Sequence, residues 1–308
     1  MVEDKDYLKL YTKPKLRSPY VICGFEGSFN GGDASVGIVN YLIGQLKAIK
    51  FADMQTSRYH IYQLPGADGL RPIFKMEEGL IVESELPKDE FYYVADNARE
   101  HDLILFSGHE PNLNWEEYAN SLVSLACEFG ATRLYTSCGI YDMTPYTREP
   151  IISCTCTSEK IKNEMEKYNV TFSNREGPAS FAQMMIYTCK TKNLEGANFT
   201  ARAPYYPEFN IALSYSPKSI KAIMIRFSQL MHLNVDFSDL NDEIKELEKN
   251  LDFMKQQNPQ FKTFIEEQEK SYTEMSYQEP LDISPSDAIK FAEEFLKEHK
   301  DPGKDNSK

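Results

Sequence analysis

Apolar residues along the first half of the chain fall into short runs separated by polar turns, and the spacing within each run predicts its element. Tyr20, Val21, Ile22 and Cys23 form a continuous apolar run suited to a buried strand. The stretch Gly24-Phe25-Glu26-Gly27-Ser28-Phe29-Asn30-Gly31-Gly32-Asp33 follows as a turn. Beyond it Val36, Val39, Leu42, Ile43, Leu46 and Ile49 recur at helical spacing, with Asp33 or Ser35 placed to accept the first amide hydrogens. Short strands are predicted at 60–63, 73–75, 80–83 and 91–95, punctuated by Pro65, Pro72 and Pro87 and paired antiparallel. The clearest unit covers 102–138. Residues 103–106 form an apolar strand, Trp115, Tyr118, Leu122, Leu125 and Phe129 step along a helix, and residues 133–138 supply the next strand. Asn114 with Glu117 resembles a capping box, and Gly130 suits the residue after the helix. A unit this short requires parallel strands with a right-handed crossover.

Residues 151–157 read as a strand, 159–168 and 178–190 as helices, and 198–203 as a strand ended by Pro204. Pro217 opens a helix carrying Ile220, Ile223, Met224, Phe227 and Met231. Alternation of strands and helices to about 235 predicts one α/β domain with a mixed, largely parallel sheet over 19–235. Residues 1–18 are polar and read as an arm. From 236 the pattern changes: Leu240, Ile244, Leu247, Leu251 and Met254 form a stripe on an otherwise charged helix, with further helices near 259–277 and 285–299. The stripe spans two heptads, too few for a coiled coil, so 236–299 is a helical appendage packed on the domain or on another subunit. Residues 300–308 are a disordered tail.

Charge narrows the choice of partner. Against 34 Lys and Arg the chain carries 47 Asp and Glu, a formal charge of −13, which opposes a phosphate backbone or an anionic lipid surface. The opening residues lack the order of a signal peptide, and no run reaches the length of a membrane span, so a cytoplasmic protein is expected. Cys23, Cys127, Cys138, Cys154, Cys156 and Cys189 are scattered, five of them in apolar segments, as in a reducing compartment. Cys154 and Cys156 share a strand face without the second ligand pair of a zinc site. No metal and no cofactor are expected.

Two constellations invite a chemical role. The Gly-rich turn precedes a helix, as phosphate-binding turns do, but it lacks both nucleotide fingerprints, and Glu26 and Asp33 repel phosphate. It therefore reads as an acidic loop that meets Arg148 or a protein surface. Ligands of open α/β sheets sit beyond the carboxyl ends of parallel strands. Two such ends carry His109 with Glu110 and Cys138, a thiol, imidazole and carboxylate set with the makings of a hydrolase. Arg148, between Pro145 and Pro150, is a stiffly presented cation that either binds a carboxylate partner or pairs with Glu26 or Glu110.

Several ordered segments carry a resemblance: the loop 24–33 entering its helix, Gly108-His109-Glu110-Pro111-Asn112-Leu113-Asn114-Trp115-Glu116-Glu117, the strand into Gly139, Thr144-Pro145-Tyr146-Thr147-Arg148, and Glu176-Gly177-Pro178. Over about residues 18–255 the chain resembles the prokaryotic branch of the proteasome assembly chaperone 2 family. The resemblance implies a three-layer α/β/α fold of the phosphorylase and hydrolase kind, a helical C-terminal extension, oligomerisation and no established catalysis, with some members assisting proteasome assembly. Relatives often carry Trp and Asp where this chain has Ser28 and Asn30, His in place of Tyr146 and Gly in place of Cys138. The ending Asn306-Ser307-Lys308 differs from the hydrophobic-Tyr-x tail of proteasome-binding members, so docking by the tail is not expected. The expected function is protein association as an assembly chaperone or scaffold. The partners are a second copy in a homo-oligomer, a trimer being one candidate, or another protein complex. Glu26, Asn30, Asp33, Glu110, Tyr146 and Arg148 are the candidate partner-binding residues. The alternative is a small-molecule or peptide hydrolase built on Cys138, His109, Glu110 and Arg148.

Overall fold

The computed structural model describes residues 8–63, 70–172, 174 and 176–272. The helix expected at 285–299 and the tail at 300–308 lie outside them. In chain order the strands are β1 (Leu8–Leu10), β2 (Tyr20–Glu26), β3 (Ile49–Met54), β4 (Ile73–Glu77), β5 (Leu80–Glu85), β6 (Asp89–Val94), β7 (Leu103–His109), β8 (Arg133–Asp142), β9 (Ile152–Cys156), β10 (Glu195–Tyr206) and β11 (Ile211–Ala212). The helices are α1 (Val36–Gln45), α2 (Trp115–Glu128), α3 (Glu159–Met165), α4 (Phe181–Thr191), α5 (Pro217–Leu230), α6 (Ser238–Gln257) and α7 (Pro259–Ser271).

Among the described residues nine strands form one sheet in the order β1-β3-β6-β7-β2-β8-β10, with β9 and β11 both paired to β10, and β4 and β5 form a separate pair. The central strands β7, β2, β8 and β10 are parallel, and the flanking pairs are antiparallel. The α2 crossover joins parallel strands as expected, but β2 sits between β7 and β8 and pairs with both. Alternation along the strands makes the three layers. Tyr20 and Ile22 of β2, Leu105 of β7 and Tyr135 of β8 pack with α1, α3, α5 and the start of α6. Val21, Cys23 and Phe25, with Ile104 and Phe106, face α2 and α4 on the other side. This is the α/β/α fold, with a mixed sheet that is largely parallel at its centre.

Local expectations differ from the structure in five places. Helix α1 ends at Gln45, Lys47 turns at φ +50°, and Ile49 opens β3 instead of continuing the helix. Residues 60–63 form no strand, because the Tyr59 carbonyl accepts the amides of Asn112 and Leu113 and His60 turns inward. The Asn114 capping box is not formed: this residue sits at φ +55°, its side chain reaches the Arg58 carbonyl, and Glu117 pairs with Arg58 instead. The capping box occurs at Ser180 and Gln183, where α4 begins. Pro204 does not end its strand; β10 runs on to Tyr206 with Pro204 opposite Asp142, and part of the expected arm is the edge strand β1.

The leucine stripe packs on its own domain. Leu240 joins the main core, while Leu247 and Leu251 meet Tyr146, Tyr206, Phe261 and Ile265 in a separate aromatic cluster. Among the described residues no helix is long and apolar enough to cross a membrane.

Candidate functional site

The Gly-rich loop is held by main chain and by one asparagine. The Gly139 amide donates to the Phe29 carbonyl at 2.7 Å, and a Cβ on Gly139 would lie 1.8 Å from the Gly31 oxygen, so only glycine permits this approach. Gly32 adopts φ +65° with Ala203 and Ser216 against it. The first amides of α1 are shared by Asp33, which accepts from Gly37 as one of the two expected acceptors, and by Asn30: Asn30 Oδ1 accepts from Ser35 and Val36, while its Nδ2 donates to Glu26 and Asp33 at 2.6 and 3.0 Å. Asn30 is thus a neutral bridge between two carboxylates. Partial burial, reinforced for Glu26 by the nearby Asp33, raises both carboxyl pKa values despite these hydrogen bonds. The amides of Ser28, Asn30, Asp33, Ala34, Ser35 and Val36 all have protein acceptors, so the loop is an acidic turn with little left to offer a phosphate.

Glu26 and His109 stand side by side in the parallel register of β2 and β7. With Gly27, Phe29, Ile61, Glu110 and Trp115 they line an open cleft of about 860 Å³ at the strand ends. Behind it lies a residue to which the sequence pattern drew no attention. Asp89, at the start of β6, is fully buried and accepts four hydrogen bonds: Tyr118 Oη at 2.5 Å, His60 Nε2 at 2.8 Å, the His109 amide at 2.8 Å and His109 Nδ1 at 2.9 Å. Burial alone would raise the Asp89 pKa; the hydrogen bonds from the two histidines outweigh it and hold the carboxylate below its usual range. Burial and the same carboxylate push the Tyr118 phenol well up. Because Asp89 takes the Nδ1 hydrogen of His109, the neutral form of this ring carries its free lone pair on Nε2, and the side chain is one-fifth exposed beside the cleft. His60 is wholly buried, and its Nδ1 has no hydrogen-bond partner. Signals for this network were slight: an Asp at the head of a buried strand, where Asp is disfavoured, and a His in a segment of strand-like spacing.

The remaining candidates part company. Glu110 lines the cleft, but both of its oxygens are used: Oε2 accepts the Ser28 amide at 3.0 Å and Oε1 the Phe181 amide at 3.2 Å, tying the loop to the start of α4. Cys138 is 2% exposed, its sulfur 4.0 Å from Ser180 Oγ, and burial pushes its thiol up to about 12, with Glu110 adding to the shift. At neutral pH it is a packed thiol and not a thiolate. Tyr146 is buried in the aromatic cluster, donates to Asp252 of α6 at 2.7 Å and stacks on Phe261 of α7. It anchors the C-terminal helices. Arg148 lines a narrow pocket with Tyr146, Lys218 and Glu248 that shares no residue with the cleft of Glu26 and Glu110. Among the described residues no group of three or more His, Cys, Asp or Glu is placed to hold a metal ion. Cys154 and Cys156 are free thiols whose sulfurs share a hydrogen bond at 3.6 Å.

The sequence pattern of the PAC2 family matches residues 24–255. The chain belongs to the PAC2 family. That span contains the Gly-rich loop, the whole cleft and most of α6, so the family's shared part is the α/β/α body with the first of its C-terminal helices. Solved PAC2-like structures share the fold at low identity. A protein of unknown function from Corynebacterium glutamicum superposes with a TM-score of 0.74 at 18% identity, covering 86% of this chain and 97% of that one. A proteasome-assembly chaperone homologue from Mycobacterium tuberculosis gives 0.67 at 21% identity, over 75% and 93%. PbaB of Pyrococcus furiosus, an archaeal proteasome activator, gives 0.60 at 22% identity, over 80% and 97%. Among curated proteins none matches significantly.

Proposed function

We propose that this PAC2 family chain acts by protein association, as a non-enzymatic assembly chaperone or scaffold in the cytoplasm, self-associating into a homo-oligomer and engaging another protein complex. The observation that carries the reading is the family match over 24–255, with fold neighbours that include a proteasome-assembly chaperone homologue and a proteasome activator. Two features of the chain support it. The groups that would serve catalysis are committed to bracing, Glu110 between loop and helix and Cys138 inside the core. The six cysteines are free thiols, as a reducing compartment requires. The test is recovery of the native complex from the producing cells through an affinity tag, with the mass of the assembly measured. A stable assembly containing a second protein in fixed ratio is expected; recovery of the chain as a lone monomer would overturn the reading.

A second reading, a hydrolase of small molecules or peptides, is favoured by one observation: Asp89 presents His109 with its Nε2 as an acceptor at the cleft, the arrangement of a general base. Water, not Cys138, would be the nucleophile. Turnover of an ester and peptide panel by the wild-type chain, abolished in His109→Gln and retained in Cys138→Ser, is its signature. Equal rates for wild type and His109→Gln would refute it.

A further inference from the structure

Strand β9 sets two thiols side by side at the rim of the core. Cys154 and Cys156 are two residues apart on one strand and so project from the same face. Their sulfurs already touch through the hydrogen bond at 3.6 Å. The surroundings of the two differ. Cys154 is 6% exposed and belongs to the main core with Ile152, Ile161, Met165 and Val170. Cys156 is half-buried at the margin of that core, near Lys162 and Glu159 of α3. The hydrogen bond from Cys154, with the Lys162 charge behind it, lowers the Cys156 pKa in spite of partial burial and Glu159. The same hydrogen bond and burial push the Cys154 thiol well up. The other four cysteines all have raised pKa values, including exposed Cys127. One accessible, thiolate-prone sulfur beside one buried, protonated sulfur matches the roles of an attacking and a resolving cysteine.

We infer that Cys154 and Cys156 form an oxidation site, a dithiol that a hydroperoxide converts to an intrachain disulfide. The Cys156 thiolate attacks the terminal oxygen of the hydroperoxide: an S–O bond forms, the O–O bond breaks, and the departing alkoxide takes up a proton. Cys156 is then a sulfenic acid. Cys154 gives up its proton and attacks the Cys156 sulfur, so that the S–S bond forms, the S–O bond breaks and water leaves. Two thiols and one hydroperoxide become one disulfide, one alcohol and one water, the sulfurs losing two electrons to the peroxide. The backbone holds the pair in place while this happens. Cys154 lies opposite Phe199 and Cys156 opposite Ala197 of β10, and on the other side the Cys154 amide donates to the Thr171 carbonyl at 2.8 Å. Two strand rises of about 3.3 Å put the Cα atoms about 6.6 Å apart, near the upper end of the roughly 4.4–6.8 Å that a disulfide spans. Such a bond closes under strain, and strained, accessible disulfides are the readily reduced ones. The bridge is a transient oxidation mark suited to a reducing compartment, not a structural staple. It is independent of the readings above, because β9 contributes no residue to the cleft.

The experiment exposes the reduced full chain, freed of reductant, to micromolar hydrogen peroxide, quenches it by alkylation at set times and reads tryptic peptides by mass spectrometry. Cleavage after Arg148 and Lys160 isolates both cysteines on one peptide that holds no third. The expected product is that peptide, lighter by two hydrogens and closed to alkylation. It should form at least about tenfold faster than any oxidation of exposed Cys127 and be reversed by dithiothreitol. In Cys154→Ser, and in Cys154→Ala as a second variant that adds no hydroxyl to the core, dimedone should trap a sulfenic acid on Cys156. The wild-type measurement stands whether or not these variants fold. Oxidation of Cys156 no faster than that of Cys127 overturns the inference. So does advance of Cys156 to a sulfinic acid with Cys154 left free, or a bridge from either residue to another cysteine. A folded Cys154 variant in which Cys156 gives no dimedone adduct overturns the assignment of Cys156 as the attacking thiol.

Discussion

Removing the Asp89 carboxylate should be among the most damaging single changes in the molecule. Asp89→Ala removes the shared acceptor of four donors, one on Tyr118, one on His60 and two on His109. An unsatisfied buried polar group costs about 1–3 kcal/mol, and stranding one side of a buried charge network costs about 3–5 kcal/mol in total after relaxation. In a body of this size each kcal/mol shifts the melting midpoint by about 2–4 °C, so a fall of about 10 °C or more is expected. Asp89→Asn keeps one acceptor oxygen but turns an amide donor toward donors, and should lie between. The pH dependence follows from the depressed folded pKa. Stability from the ionised carboxylate is fully present above its unfolded pKa of about 3.9 and is lost as pH falls through the lower folded value. Urea unfolding followed from pH 7 to pH 3 should therefore show wild type losing stability more steeply than Asp89→Asn below about pH 4. An Asp89→Ala variant within about 0.5 kcal/mol of wild type at pH 7 would refute the account of the network.

Further outcomes follow from the loop, the thiols and the C-terminal helices. Gly139→Ala should destabilise by about 3 kcal/mol in thermal unfolding, because its methyl group collides with the Gly31 carbonyl. In Asn30→Asp three carboxylates crowd the loop; a loss of about 1–2 kcal/mol at pH 7 should shrink as pH falls, because the raised pKa values of Glu26 and Asp33 let them take up protons sooner than free carboxylates do. Native alkylation followed by peptide mass spectrometry should label exposed Cys127 at least about tenfold faster than Cys138. Phe261→Ala should cost about 3–5 kcal/mol and open α6 and α7 to limited proteolysis ahead of the α/β body.

The layers were legible because they rest on local pattern: the apolar run at Tyr20 to Cys23, the helical stripe from Trp115 to Phe129 and the Pro217 helix each fix one element and its buried face. Strand order was not. The placement of β2 between β7 and β8 depends on pairings across more than eighty residues that no local spacing encodes. At the strand ends Glu26, His109 and Glu110 line one cleft, whereas Cys138 at the neighbouring strand is packed away from it. Arg148 and Tyr146 appeared part of that edge only because they follow β8 in the chain; the connection after β8 carries them to α6 instead. Asp89, His60 and Tyr118 escaped notice because their meeting is wholly tertiary: a strand end, a turn and a helix contribute one residue each.

The aromatic cluster that holds the last helices also sets a clock for synthesis. Tyr146, Tyr206 and Phe209 leave the ribosome early, whereas Phe261 and Phe264, which cover them, belong to the final described helix. At about 5–20 residues per second the ledge stays bare for several seconds on each nascent chain. Neighbouring chains on one message therefore pass through a shared interval in which an unfinished aromatic surface is open to any partner that arrives before α7 does.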